Sequence, residues 1–571
     1  MVKIVRREVA DDSQLLDIAD PAVRKILASR GINSVSDATC ELKDLLHFKS
    51  LPDIKKAASR IADAVEHDES ILVFGDYDVD GMTGAALGIR ALRAIGCKND
   101  KVICKVPSRY DGGYGLSVSE VDKAAEQGIN LILTVDNGIG CVEAADQALK
   151  LDISLVITDH HECPNKLPEA IAVVDPKRSD SEFGSTALCG AGVLFYVLCA
   201  VRSELDARGF YERTGIAKPV MADFLDLVTL GTVGDVVEFD PNNRRLVKAG
   251  LLRMRSGKTI PGIRALASHT RCSLDEVDPH GIGFELCPRL NAAGRIKLPD
   301  NPALDLLLTD DPVKADELSS RLDLCNRRRG DFERVFLKEA REDAENTDGK
   351  TSGALTLCRK HWLSGISGLI AGKLKTEYGV PCFIFSGENG ILKGSARSVP
   401  GVPLGKILKR ISAEHPGLLL QGGGHAMAAG ATIREESLDT FRSVFASLSL
   451  EYLQEPCEQE LVTDGELDEK NLTLDFARKI EKLGPWGEGF PEPLFDGEFK
   501  IISVTPIQNR HLRFTLQSPT GKNIYAIRFR ASLREKALIP GIEVKAAYAL
   551  DVSRYQGTER LQVRLEAVEP I

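Results

Sequence analysis

Four short apolar runs, "ILVFG", "KVICKVP", "LILTVD" and "SLVITD", follow one another between Ile71 and Asp159, with helical segments between them. This alternation predicts a parallel sheet covered by helices. It also fixes where charge gathers. The first run leads into Asp76, Asp78 and Asp80 in "GDYDVDG". The third leads into Asp136 in "TVDNGIG", and the last into Asp159, His160 and His161. In an open parallel sheet the carboxyl ends of the strands border one crevice, so these side chains are expected to converge. Asp235, after the apolar helical run of "FLDLVTLGTVGDVVEFD", is a further candidate.

Carboxylates this close repel one another unless something positive lies between them. Aspartate and histidine together are ligands for divalent manganese, magnesium or zinc, and soft thiolates are missing from these motifs. Four or more carboxylates with an imidazole exceed the needs of one catalytic metal. They suit two ions ~3.5–4 Å apart, the clamp for an in-line displacement that is typically at phosphorus. A helix beginning near Thr83 adds a positive end that favours an anion. Taken singly, a strand-end aspartate commonly caps a helix and a histidine pair is commonly structural. "DYDVDG" lacks the distal glutamate of a calcium loop. The ordered combination carries the metal reading.

The 571 residues suffice for three or four domains at roughly 100–200 residues each. The start, "MVKIVRREVADD", has no apolar h-region, so no secretory leader is expected. The longest apolar run, Gly190 to Val201, falls short of the ~20 residues that span a bilayer. The 13 cysteines form no C-x-x-C pair, which argues against structural zinc and for reduced thiols in a cytoplasm. The net charge of −10 disfavours nucleic acid, yet it is unevenly spread. Glu451 to Leu494 holds 4 Lys/Arg against 12 Asp/Glu, a net of −8. Phe495 to Ile571 holds 12 against 8, a net of +4. A basic terminal module can bind a polyanion locally.

The expected fold class is α/β, with two α/β domains joined by a long helix and a C-terminal β-barrel of oligonucleotide-binding type. Residues 1–50 read as short helices and 51–300 as the catalytic unit. Residues 301–350 read as a connecting helix, 351–450 as the second α/β unit, 451–494 as an acidic linker and 495–571 as five alternating strands. Groups able to hold a phosphate strand recur. "GSARS" supplies Ser395, Arg397 and Ser398, and "GGGHAMAAG" supplies Gly423, Gly424 and His425. "PRLNAAGR" supplies Arg289, Asn291 and Arg295, and "NRRRG" supplies Arg329. "RYDGGYG" supplies Arg109, Tyr110 and Tyr114. In the barrel, Phe514, Tyr525 and Phe529 alternate with Arg513, Arg528 and Arg530, a pattern that suits single-strand stacking.

"GDYDVDG", "TVDNGI", "TDHH" and "GTVGDVV", in this order, resemble the DHH phosphoesterase superfamily. "VPSRYDGGYGLS", "PRLNAAGR", "GSARS", "GGGHAMAAG" and "LGPWGEGFPEPLF" are similar to the RecJ single-stranded-DNA exonucleases, from about Leu51 to the C-terminus. The resemblance implies a DHH domain, a DHHA1-like domain and an OB-fold domain. It implies a 5′→3′ exonuclease releasing mononucleotides with two Mn2+ or Mg2+ ions, roles in recombinational and mismatch repair, and a single-strand-binding protein as partner. It matches Asp78, Asp80, His160 and Asp235 to metal-binding positions, Asp76 to the acid before them, either a metal ligand or a support behind the ligands, and Asp136 to the carboxylate shared by both ions. It matches His161 to a histidine facing the scissile phosphate, and Asp159 would orient the imidazoles from behind. The chain departs from the family pattern at His361, Phe490 and Asp175, none of them a proposed ligand. Two rival readings are a phosphodiesterase for cyclic dinucleotides or short oligonucleotides, and an inactive DNA-binding scaffold.

Overall fold

The computed structural model describes the chain except residues 1, 2, 9, 109, 111–114, 347–352, 454–459, 509 and 555–557. It opens with a short strand, β1 (Lys3–Arg6). The first sheet follows: β2 (Ile71–Gly75), β3 (Val102–Lys105), β4 (Leu131–Val135), β5 (Ser154–Thr158) and β6 (Ala172–Val174). All neighbours are parallel, in the order β3-β2-β4-β5-β6. The order reverses between β2 and β4, which makes the gap above their carboxyl ends the ligand crevice of such a sheet. Strands β2 and β4 are buried throughout, as strands covered on both faces must be.

Three helices shape that crevice: α1 (Val79–Ile95), α2 (Gly190–Ala207) and α3 (Leu225–Gly234). Helix α1 starts at Val79, four residues before the predicted start near Thr83. Asp78 caps it, Oδ1 accepting from the amides of Asp80 (2.9 Å) and Gly81 (3.2 Å). Gly84 and Gly88 lie where a Cβ would strike Val135 and Val73, so the helix sits hard against the sheet. Helix α4 (Cys287–Arg295) leads to a helix over Pro302–Leu308 and then to α5 (Pro312–Glu345). The single connecting helix predicted for this stretch is therefore two. The chain breaks at Thr309–Asp311, where Asp311 caps α5 (2.9 Å to the Val313 amide) and Pro312 has no N–H with which to continue a helix.

The second unit holds α6 (Ser364–Tyr378) and a mixed sheet of β7 (Leu355–Cys358), β8 (Cys382–Glu388), β9 (Ile391–Arg397), β10 (Gln421–Gly424) and β11 (Ala428–Arg434). Its order is β10-β11-β9-β8-β7, with only β7 and β8 parallel. Two contacts fix it to the first unit. Helix α5 reaches α4 through Arg289–Asp323 (3.0 Å) and reaches the second unit through Trp362 Nε1–Glu339 (2.7 Å). The tip of α4 meets the start of α6, where a Cβ on Gly365 would fall 2.6 Å from the Arg295 carbonyl.

The described part of the acidic stretch holds a strand and a helix, Leu474–Leu483. Its strand β12 (Glu460–Thr463) pairs in parallel with β1, a pairing the sequence reading missed. The barrel then closes through β13 (Phe495–Ile507), β14 (His511–Gln517), β15 (Asn523–Arg528), β16 (Glu543–Ser553) and β17 (Arg560–Pro570), in the order β13-β14-β15-β17-β16. One apolar core runs from the N-terminal helices through the first sheet into the barrel, with Leu27, Val73, Val197, Phe476, Phe495 and Tyr548 among its members. The residues before the barrel are clamped. Trp486 stacks on Phe490 (5.0 Å), Arg30 lies over Trp486 (5.6 Å), and the fully buried Arg244 lies 3.7 Å over Phe490. Arg244 also donates to the carbonyls of Asp37 and Leu483, both at 2.9 Å.

Arg244→Ala would strip two half-buried carbonyls of a charged donor and empty the space over Phe490. The expected loss is on the order of 3 kcal/mol, seen as a lower melting temperature and faster proteolysis within 484–494. An unchanged melt and protease pattern would contradict the clamp.

Candidate metal and phosphate site

Each acidic side chain reaches the crevice because a strand has just ended or a helix is beginning. Asp76 follows β2. Asp136 follows β4 in the left-handed region (φ 62), which a non-glycine residue adopts only when its surroundings hold it there. They do so here. The Asp136 amide donates to the Thr158 carbonyl (3.2 Å). The next side chain, Asn137, ties the strand ends together by donating to the carbonyls of Phe74 (3.2 Å) and Val135 (2.9 Å). Asp159 follows β5, and Asp235 sits at the C-cap of α3.

Three donor sets result, the ligand atoms of each lying within 4.8 Å of one another: Asp76, Asp78 and Asp136; Asp80, His160 and Asp235; and Asp136, His160 and His161. Asp136 belongs to two of them. His160 Nε2 stands 3.1 Å from Asp136, 3.4 Å from Asp235 and 3.9 Å from Asp80. Nε2 is thus the ring nitrogen turned toward all three carboxylates and the one a metal would take. Burial and the neighbouring His161 push its pKa down to about 3, so the ring is neutral, as a ligand must be. The carboxylates shift the other way. Burial and then the charges of Asp80 and Asp78 drive Asp136 well above the usual carboxylate range. Burial and Asp78 raise Asp80 to about 6, and burial with Asp80 and Asp78 raises Asp235 to about 8. A donor set of oxygens with one imidazole, charged against itself in this way, fits a pair of hard divalent cations.

Asp159 has a different task. Burial alone would raise it, but the His161 hydrogen bond and His161 charge hold it below the usual range. Its Oδ1 accepts from His161 Nδ1 (2.7 Å) and from the amides of His160 (2.8 Å) and His161 (3.3 Å), and its Oδ2 accepts from the Ile139 amide (2.9 Å). It therefore fixes the His161 ring but touches only the backbone of His160. His161 in turn is raised, because Asp159 and the cluster outweigh its burial.

The second unit faces this cluster. The His425 ring lies 6.5 Å from the His161 ring at 18°. Gly423 and Gly424 belong to the exposed edge strand β10 rather than to a loop, and an edge strand turns its unladdered N–H groups outward. Ser395 and Arg397 lie partly exposed on β9, on the far side of β11 from β10. Arg397 rests beside Gly368 of α6, its guanidinium 3.3 Å from where a Cβ would stand.

Several predicted phosphate groups are engaged elsewhere. Ser398 is fully buried and donates to the Val402 carbonyl (2.5 Å), shaping the turn. Arg289 is drawn to Asp323 and Glu285 and pins α4 to α5. Arg329 pairs with Glu333 one turn away (2.5 Å). Arg295 reaches the Gly365 carbonyl (3.0 Å), and Tyr110 donates to the Arg295 carbonyl (2.6 Å). Asn291 is half-buried on α4. Arg109 and Tyr114 lie outside the described residues. In the barrel Phe514 is core, whereas Tyr525 (72% exposed) and Phe529 (41%) stand on the surface. Arg513 and Arg530 are exposed, and Arg528 is tied to Glu535 (2.6 Å).

Comparison with known proteins follows the same division. The model for the DHH family, N-terminal domain, matches residues 70–232, that for the DHHA1 domain 351–449, and that for the RecJ OB domain 463–567. The single-stranded-DNA-specific exonuclease RecJ of Escherichia coli is 37% identical over 100% of this chain and 99% of its own length. RecJ of Haemophilus influenzae is 36% identical, covering 100% and 99%. Among solved structures, RecJ from Thermus thermophilus in complex with Mn2+ superposes with a TM-score of 0.82 at 27% identity. It covers 100% of this chain and 79% of that one. Its Mg2+ complex gives 0.77 at 26%, covering 100% and 78%. Identity above one third along the entire chain, with all three domain types in order, settles the assignment: the chain belongs to the RecJ family.

Proposed function

We propose that this chain is a single-stranded-DNA-specific exonuclease that hydrolyses phosphodiester bonds from the 5′ end with two Mn2+ or Mg2+ ions, in DNA recombination and repair. The observation that carries the reading is the set of five crevice carboxylates and His160, arranged as donor groups linked through Asp136 and His160, which stand 3.1 Å apart. Asp76, Asp78 and Asp136 would hold one ion, and Asp80, His160, Asp235 and the same Asp136 the other. Such a pair lowers the pKa of an attacking water and neutralises charge on the phosphate in flight. The chain's own groups do the rest. Asp159 locks His161 by its Nδ1, so that the imidazole keeps one orientation toward the scissile phosphate. His425 comes from the opposite wall, and the two rings bracket the place where a phosphate enters. Ser395, Arg397 and the edge amides of β10 offer further donors along that wall.

The complete donor set disfavours the inactive scaffold. The barrel disfavours a small substrate, because its exposed Tyr525 and Phe529 have no role with one. The 5′→3′ polarity, mononucleotide products and a single-strand-binding protein as partner rest on the family resemblance. Among the described residues no helix is long and apolar enough to cross a membrane.

Single strands labelled at the 5′ or the 3′ end, incubated with and without Mn2+, test the reading. Mononucleotide should appear first from the 5′ label and only with metal. Asp136→Asn, whose asparagine tolerates the left-handed backbone, should lower kcat by at least about 100-fold while strand binding survives. Activity near that of wild type would contradict the shared-carboxylate assignment.

The barrel shares its core with the rest of the chain, so point substitutions test it better than truncation. Tyr525→Ala with Phe529→Ala should weaken binding of long single strands by at least about 30-fold, at ~1–3 kcal/mol for each of two stacked bases. Hydrolysis of the shortest oligonucleotides should hardly change. Equal affinity for long strands would remove the barrel from the strand path.

A further inference from the structure

The first turn of α2 touches Asp80 and Asp136, members of different donor groups, although none of its own residues belongs to any of them. The Gly190 amide donates to Asp80 Oδ2 (2.5 Å) and the Ala191 amide to Asp80 Oδ1 (3.0 Å). Both oxygens of one carboxylate are thus seated on successive amides at the positive end of an 18-residue helix, which favours the charged form. Gly190 also lies against Asp136. A Cβ on Gly190 would come within 2.6 Å of the Asp136 Cα and 2.8 Å of its nitrogen. Asp136 cannot easily retreat, since its left-handed backbone is already held by the Thr158 carbonyl.

The surroundings close the same box. Cys189 caps α2, its Sγ accepting from the Gly192 amide (3.3 Å), and its thiol contacts Asp80. Thr232 of α3 stands 3.5 Å from that sulfur. A Cβ on Gly231 of α3 would fall 2.6 Å from Asp80 Oδ1 and 3.0 Å from the Ala191 Cβ. The helix that ends in Asp235 is therefore packed against the helix start that grips Asp80. None of these residues is charged; Gly231 and Thr232 lie within "GTVGDVV", while Cys189, Gly190 and Ala191 stand outside the acidic motifs.

We propose that Gly190 is a positioning residue: it sets the distance between the Asp80 carboxylate and the shared Asp136, and through that distance the affinity for the pair of divalent ions. The proposal rests on the two-ion reading above. Its mechanism is geometric. Only a residue without a side chain lets one helix start bond one ligand while leaning on the backbone of the other. A side chain at 190 moves the two carboxylates apart without removing any ligand.

Calorimetric titration of the full chain with Mn2+ tests this, with a circular dichroism melt of each variant. G190A should bind at least one ion about 10–100-fold more weakly, the range for losing an outer support of a ligand. G192A makes the same change two residues on in the same helix. Its Cβ would face Leu188 Cδ2 at 3.3 Å and Cys189 Sγ at 3.6 Å rather than a ligand, so it should bind as wild type does. C189A, which removes the capping sulfur, should also weaken Mn2+, and C189S, which restores a capping acceptor, should recover it. This second pair decides the matter if G190A does not fold. Wild-type Mn2+ affinity in G190A, an equal loss in G192A, or unaltered affinity in C189A would overturn the proposal. A wild-type chain that binds fewer than two ions overturns the two-ion reading and the proposal with it, and shows itself before any substitution is made.

Discussion

Mutual repulsion among buried carboxylates is the constraint around which this chain is built. Asp76, Asp80 and Asp136 are almost wholly buried, with Asp78 and Asp235 beside them. In low dielectric, charges so close oppose folding unless something holds them. Several backbone devices do part of that work. The start of α2 grips Asp80, and the Asp78 carboxylate caps α1. Asn137 ties together the strand ends that carry Asp76 and Asp136. The rest is left to cations, which is how a fold can store a metal site without spending a lysine or arginine on it.

The second constraint is that a phosphate must enter between two walls. The contact of Gly365 with the Arg295 backbone, and the bridging of α5 between Asp323 and Glu339, bring His425 to the rim where His161 stands. Much of the arginine chemistry read as substrate binding is engaged, in this structure, in such scaffolding contacts. Arg289 and Arg329 make ion pairs, and the Arg295 guanidinium reaches the Gly365 carbonyl. The clamp of Arg244 over Phe490 does the same for the barrel.

The acidic motifs were legible because strand ends and acids coincide in sequence, and a parallel sheet then brings them together whatever the loops do. The five barrel strands were legible from their alternation. Three kinds of feature were not. A parallel pairing between Lys3–Arg6 and Glu460–Thr463 leaves no local mark, since its partners are more than four hundred residues apart. Whether an arginine meets phosphate or a carboxylate depends on which acidic side chain the fold brings near, as Asp323 is brought to Arg289. The support of Asp80 comes from amides, which every residue carries. Its one trace is a glycine, Gly190, at a helix start, where only the structure reveals what its missing side chain would strike.

If repulsion is the governing term, the cost of the cluster must show in the metal-free protein. The direct measurement is thermal unfolding of wild type and Asp136→Asn, each in chelator and in saturating Mn2+. Without metal, and at alkaline pH where the raised Asp136 carboxyl is ionised, the variant, relieved of one buried charge, should melt above wild type. With Mn2+ the order should invert, because wild type gains the full stabilisation of two bound ions and the variant does not. A wild-type melt indifferent to Mn2+, or a variant that melts below wild type in chelator at that pH, would contradict the account.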